Sequence, residues 1–215
     1  MSTSSTRSSP LAFDLDGTLI STKSRQVAVL ESLLPSEGVE GLDLDRVWEL
    51  KREGLTTRSA LEALGVDPTV SQRLGRRWVA SIESPRWLLL DRLIPGVTET
   101  LDALAAAGHR PVILTARRHR RQVRGQVAAF GLTKWCAEVR VVSPISAAEE
   151  KAIHLRALGC RNFVGDTESD GNAAGLAGVG FAAVSTGQRS RRFLGARHFE
   201  VFESLKEALV GLGEL

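Results

Sequence analysis

Along most of the chain, short apolar runs alternate with longer stretches in which apolar residues recur every three or four positions. That is the pattern of a parallel sheet with crossover helices. The short runs predict strands at Leu11 to Phe13, Pro111 to Leu114, Val139 to Val142, Asn162 to Val164, Phe181 to Val184 and His198 to Phe202. Among the intervening helices, Val97 to Ala106 carries Val97, Leu101 and Leu104 on one face and stops before Gly108, as a glycine C-cap predicts. Ser146 and Glu149, three apart, predict a capping box opening a helix that runs to about Leu158, before Gly159.

Residues 21–94 break the alternation and read as helices only: Gln26 to Leu34, Asp45 to Arg52, Arg58 to Leu64 and Val70 to Ile82. The last places Val70, Leu74, Trp78 and Ile82 on one face, and Gly54, Gly65, Pro68 and Pro85 punctuate the series. A long strandless stretch between the first two strands of a sheet reads as an inserted helical domain. Trp48, Trp78 and Trp87 fall in it as helix-packing residues. The expected fold class is therefore α/β, a Rossmann-like parallel sheet flanked by helices with a helical insertion. The core would be residues 10–20 and 95–215, the insertion 21–94, and residues 1–9 a disordered tail.

Composition narrows the class. With 43% hydrophobic and 25% charged residues over 215 positions, the chain is neither disordered nor a disulfide scaffold. Met1 to Ser9 lacks the apolar segment of a secretory signal, and no window approaches the roughly 20 apolar residues of a membrane span. Cys136 and Cys160 are too far apart for a zinc or redox motif. A soluble cytoplasmic protein, monomer or homodimer, is expected. Its net charge is +3, but Arg117, Arg118, Arg120, Arg121 and Arg124 form one basic run, and Arg189, Arg191, Arg192 and Arg197 another. Either could attract an anion or simply be a solvated face. Neither has the interleaved aromatics of a nucleic-acid site, so a nucleic-acid partner is not expected.

Candidate chemistry begins where the first strand ends, in Phe13-Asp14-Leu15-Asp16-Gly17-Thr18. Residues two apart on a strand point the same way, so Asp14 and Asp16 should converge at the sheet's carboxyl edge. Two like charges held together call for a cation or a proton, and magnesium, which takes carboxylates together with phosphate oxygens, suits the pair. Gly17 allows a sharp turn that brings N–H groups toward an anion, and Thr18 adds a hydroxyl. Alone, the segment is equally compatible with a turn whose aspartates cap backbone amides. Three further features alter that balance: Thr115 and Ala116 at the end of a strand, Lys151 early in a helix, and Gly165-Asp166-Thr167-Glu168-Ser169-Asp170 directly after another strand. A hydroxyl at a strand end can donate to phosphate, an ammonium can neutralise it, and carboxylates at that edge can complete a metal site. Asp170 could also serve as the N-cap of the following helix.

In this order and context, Asp14-Leu15-Asp16-Gly17-Thr18, Thr115, Lys151 and Gly165-Asp166 with Asp170 resemble the motifs of the haloacid dehalogenase superfamily. The match spans residues 10 to about 185. The helical insertion resembles the family's class I cap, and Pro95-Gly96-Val97 the return to the core. The resemblance implies a magnesium-dependent phosphomonoester phosphatase, akin to phosphoglycolate phosphatases, in which Asp14 attacks phosphorus and Asp16 serves as general acid and base. Asp14, the Asp16 carbonyl, Asp166 and Asp170 would hold Mg2+, and Gly17, Thr18, Thr115, Ala116 and Lys151 the phosphoryl group. Because halide leaves without protonation, Asp16 disfavours dehalogenation. The motifs leave open a phosphosugar mutase or phosphonatase, a non-catalytic binder of phosphorylated ligands, and a nucleic-acid end phosphatase. A small phosphorylated metabolite is the expected substrate. Lys23, Arg25, Lys51, Arg52 and Arg58 from the insertion, with Arg117 and Arg118 after the Thr115 strand, are candidates to meet it.

Overall fold

The computed structural model describes residues 10–215, and the tail expected at residues 1–9 lies outside them. The chain begins with β1 (Leu11–Phe13) and β2 (Ile20–Ser21), followed by α1 (Lys23–Leu33), α2 (Leu44–Arg52), α3 (Thr57–Ala63), α4 (Pro68–Ser81) and α5 (Pro85–Leu88). Next come β3 (Arg92–Leu93), α6 (Val97–Ala106), β4 (Val112–Ala116), α7 (Arg120–Ala129), β5 (Glu138–Val142) and α8 (Ala147–Ala157). The remainder is β6 (Asn162–Gly165), α9 (Glu168–Ala177), β7 (Gly180–Val184), α10 (Arg191–Gly195), β8 (Val201–Phe202) and α11 (Leu205–Gly211).

Six strands form one parallel sheet in the order β5-β4-β1-β6-β7-β8, with Phe13 paired to Ile113 on one side and Val164 on the other. Alternate strand residues serve opposite faces. Leu11, Phe13, Ile113 and Val164 pack with α6, α7 and α11, while Ala12, Leu114 and Phe163 pack with α8 and α9. The chain leaves β1 toward β4 and leaves β6 toward β7, so the connections diverge between β1 and β6. Open α/β sheets bind ligands in the crevice beyond such strand ends.

The α1–α5 segment has an apolar cluster of its own, built on Val29, Leu30, Val47, Leu61 and Leu74. Truncating fully buried Leu61 or Leu74 to Ala should cost about 2–5 kcal/mol. Trp48 is buried there, and Trp78 and Trp87 pack against the cluster. Residues 21–94 are not purely helical, because Ile20–Ser21 and Arg92–Leu93 pair antiparallel where the segment leaves and rejoins the sheet. A two-residue ladder is too short to show periodicity.

Helices α2, α3 and α4 begin one to two residues before the apolar pattern predicts. Asp43, Thr56 and Asp67 accept backbone N–H bonds as N-caps, and Pro68 occupies the first turn. The helix after Ser146 forms, but without the expected capping box. The Ser146 backbone is not extended, and its hydroxyl instead donates to Glu150 at 2.5 Å. A capping box does open α9, where Thr167 is the N-cap and Asp170 the third helical residue, so Asp170 is not itself the N-cap. The strand expected from His198 starts at Val201, because His198 sits in a turn with φ 63°.

Candidate active site

β1 and β6 end side by side, and the Asp14 N–H donates to the Val164 carbonyl at 2.9 Å. That pairing brings carboxylates from distant segments together: ligand oxygens of Asp14, Asp166 and Asp170, all three residues buried, lie within 4.8 Å of one another. Lys151 from α8 donates to Asp14 at 2.6 Å and to Asp170 at 2.5 Å. Asp170 also accepts from the Thr167 hydroxyl at 2.6 Å, so the α9 capping box orients it.

Three carboxylates facing one ammonium leave a deficit of positive charge. Burial, opposed by Lys151 and reinforced by Asp170 and Asp16, pushes the Asp14 carboxyl up to about 7. Burial and the neighbouring Asp14 and Asp170 charges raise Asp166 as well. One Asp166 oxygen, Oδ1, is buried without a hydrogen-bond partner. A hard divalent cation answers both the charge deficit and the orphaned oxygen, so the donor set fits a metal such as magnesium.

The second Asp166 oxygen is held by a loop the sequence did not single out. After β7, the Gln188 N–H donates to Asp166 Oδ2 at 2.6 Å, and the Thr186 hydroxyl donates to the Gly17 carbonyl at 2.6 Å. Gly17 and Gly187 let the two loops meet over Asp166. A Cβ on Gly17, whose φ is +83°, would lie 2.1 Å from Asp166 Oδ2, and one on Gly187 only 1.9 Å. Thr18 and Thr115 are buried at the same strand ends, and the Thr18 hydroxyl has no partner.

Asp16 points to the other side of the crevice. Arg117 donates to it from Nε and Nη2, and Arg25 from Nη2 at 2.9 Å. Burial alone would raise the Asp16 carboxyl, but the Arg117 and Arg25 charges outweigh it and hold it below its ordinary value. Arg25 is 3% exposed, and its Nε reaches Asp91 at 3.0 Å. Asp91 also accepts from Gln126 at 2.7 Å, and burial, with opposing help from Arg25, leaves its carboxyl raised to about 6. A cavity of about 260 Å³ opens here, lined by Asp16, Arg25, Gln26, Arg117, Arg118 and Gln188 among others.

The remaining candidates are placed differently. Lys23 pairs with Asp45 and Arg58 with Glu62 on exposed surfaces. Arg52 donates to the Ser185 carbonyl at 2.5 Å. Arg118 donates to the Val79 carbonyl, while its backbone N–H and that of His119 are capped by Glu83. Lys51 is buried, donates to Gln26 at 2.6 Å and stands 3.8 Å over the Trp78 ring. Burial, with the Arg189 and Arg25 charges, lowers its pKa to about 7. Arg189 ties Glu168 at 2.7 Å to the Lys51 carbonyl at 3.1 Å, joining α2 to the loop over Asp166. Asp91, Glu83, Gln126, Gly187 and Gln188 carried no sequence signal beyond their residue types. Cys136 and Cys160 are free and buried, which pushes their thiols up to about 12 and 11. No helix among the described residues is long and apolar enough to cross a membrane.

Comparison with known proteins identifies the fold and the family. A curated phosphoglycolate phosphatase from Rhodobacter capsulatus is 26% identical over 220 residues, covering 95% of this chain and 96% of that one. A solved haloacid dehalogenase-like hydrolase from Streptococcus pneumoniae superposes with a TM-score of 0.76 at 16% identity, over 95% of this chain and 98% of that one. A predicted phosphoglycolate phosphatase from Haemophilus somnus gives 0.70 at 20%, over 95% and 97%. At such identities the structural likeness speaks for the fold alone. The family model for haloacid dehalogenase-like hydrolases matches residues 11–184. The chain thus belongs to the haloacid dehalogenase-like hydrolase family.

Proposed function

We propose that the protein is a magnesium-dependent phosphomonoester hydrolase in which Asp14 is the nucleophile and residues 21–94 form a cap over the crevice. The observation that carries this reading is the cluster of Asp14, Asp166 and Asp170 around the single ammonium of Lys151, with Asp16 two residues from Asp14 but on separate partners. Asp14 attacks phosphorus, the bond to the ester oxygen breaks, and Asp16 in its acid form gives that oxygen a proton. Water then attacks the aspartyl-phosphate as Asp16 takes a proton back, and phosphate leaves with Asp14 restored. Lys151, the Thr115 hydroxyl and backbone N–H groups near Gly17 and Thr18 hold the phosphoryl oxygens. Asp14, Asp166 and Asp170 would hold magnesium, which when bound neutralises charge on those oxygens.

The arginines beside Asp16 favour a substrate with a second anionic group. Arg25 and Arg117 favour the ionised form of Asp16, which is unsuited to giving a proton. A substrate carboxylate next to the ester would draw the two guanidiniums onto itself and free Asp16. Phosphoglycolate, the substrate in the name of the Rhodobacter relative, has that form.

A phosphate-release screen over phosphorylated acids, sugar phosphates and an aryl phosphate tests the reading. Release that needs magnesium and is lost in Asp14→Asn is expected. Release surviving Asp14→Asn would refute the mechanism, and conversion of a sugar phosphate to its isomer without release would make the enzyme a mutase.

A further inference from the structure

The crevice accounts for Arg117 and Arg118 but leaves Arg120, Arg121 and Arg124 unexplained. Helix α7 opens on Arg120 and Arg121, with Arg124 one turn on and no acid in the first turn. This arrangement is unfavourable, since like charges repel at i, i+4 and cations oppose the positive end of a helix dipole. The ion pairs nearby are Arg140 with Glu138 and Lys134 with Asp102, and Arg120, Arg121 and Arg124 enter none among the described residues.

Arg120 and Arg124 line a cavity of about 500 Å³ beside the edge strand β5, together with Arg140 from that strand and His154 from α8. Glu138 is the one acid in the lining, and Arg140 already holds it at 2.7 Å. Glu150, one turn before His154, is held as the carboxylate by the Ser146 hydroxyl and the Ser143 N–H, and it offsets only part of the charge of Arg120 and His154. Val127, Val139 and Val141 give the cavity an apolar floor. Its volume falls in the range of small-molecule sites. It lies two strands from β1, on the opposite side of β4 from the crevice.

We propose that this cavity is a second anion site, separate from the catalytic crevice, for a small ligand carrying at least two phosphate-like charges on a partly apolar body. Arg120 and Arg124, which enter no ion pair among the described residues, and Arg140, which is shared with Glu138, approach it from two elements and can hold the charge while the valines cover the uncharged part. His154 follows Lys151 by three residues on α8, which therefore serves both sites.

The test uses inorganic pyrophosphate, titrated calorimetrically at low salt without divalent metal into the wild type, R124E/R140E and R124Q/R140Q. The charge reversal should weaken binding about tenfold or more, as loss of two charge-assisted contacts implies. The neutral pair should produce a smaller loss of the same sign, and serves alone if the reversal does not fold. The KM for the hydrolysed phosphomonoester should stay within about twofold, as expected for distant, independent sites. Equal pyrophosphate affinity in the wild type and the folded variants would place all binding in the crevice and overturn the proposal. So would absence of binding to the wild type at about 10 mM pyrophosphate.

Discussion

On the sheet side of the crevice Asp14, Asp166 and Asp170 share the one ammonium of Lys151, whereas on the side bordered by α1 Arg25 and Arg117 face Asp16 and Asp91 in equal numbers. The first half is short of positive charge and has an orphaned carboxylate oxygen. The second is balanced, and Gln126 supplies Asp91 with a further hydrogen bond. The difference separates two tasks. A negative excess on rigid strand ends suits a cation and the phosphoryl group it accompanies. A saturated ion-pair network can admit a substrate only by exchanging one anion for another, so under the proposed function it is the half that selects.

The contrast can be attacked from both sides. Asp16→Asn should cut kcat by about 100-fold to 10,000-fold, the usual worth of a general acid. The loss should shrink on an aryl phosphate, whose leaving group needs less help, and an equal loss on alkyl and aryl esters would deny Asp16 that role. Gly187→Ala reaches the acidic half without touching a charge. Its Cβ would displace Asp166, and a displacement near 1 Å in a catalytic constellation costs about 100-fold. Turnover at the wild-type rate would show that Asp166 need not be held there.

On the selecting half, Arg25→Ala should lower kcat/KM for a phosphorylated carboxylic acid by about 10-fold to 100-fold, chiefly through KM, as loss of a buried charge-assisted bond implies. Arg58→Ala, at an exposed pair with Glu62, should stay within about twofold. Steady-state kinetics on both variants would expose the opposite ranking. The last effect is on stability rather than turnover and concerns Lys51. Its pKa is near 7 in the fold and near 10.5 when unfolded, so between those values the unfolded chain binds the extra proton and stability rises with pH. Below pH 7 the full cost of the buried charge is present, offset in part by the Trp78 ring face and Gln26. Lys51→Met should therefore gain most in thermal stability, relative to the wild type, near pH 6 and least near pH 9.5. A pH-independent difference would mean that Lys51 stays charged throughout.

The two halves also differ in how far the sequence revealed them. Asp14, Asp16, Thr115 and Asp166 end apolar strands, and strand periodicity with parallel pairing brings such residues to one edge without further information. Lys151 follows because its helix starts from the same edge. For Lys23, Arg25, Lys51, Arg52 and Arg58 the sequence offered only charge. Which of them turns inward depends on how α1 to α4 pack around Leu61 and Leu74, and that packing buries Arg25 against Asp91 while leaving Arg58 in solvent. Asp91 was hidden for the same reason, since its partners are 66 and 35 residues away. Gly187 looked like any loop glycine until the close approach to Gly17 gave it a role.

The central claim, covalent catalysis by Asp14, is most directly tested by quenching the enzyme in acid during turnover with magnesium and a hydrolysed phosphomonoester, then mapping its peptides by mass spectrometry. The peptide containing Asp14 should carry the mass of one phosphoryl group, localised to Asp14, and the Asp14→Asn protein should carry none. Phosphate release at full rate with the label on another residue, or with Asp14→Asn still turning over, would contradict the account.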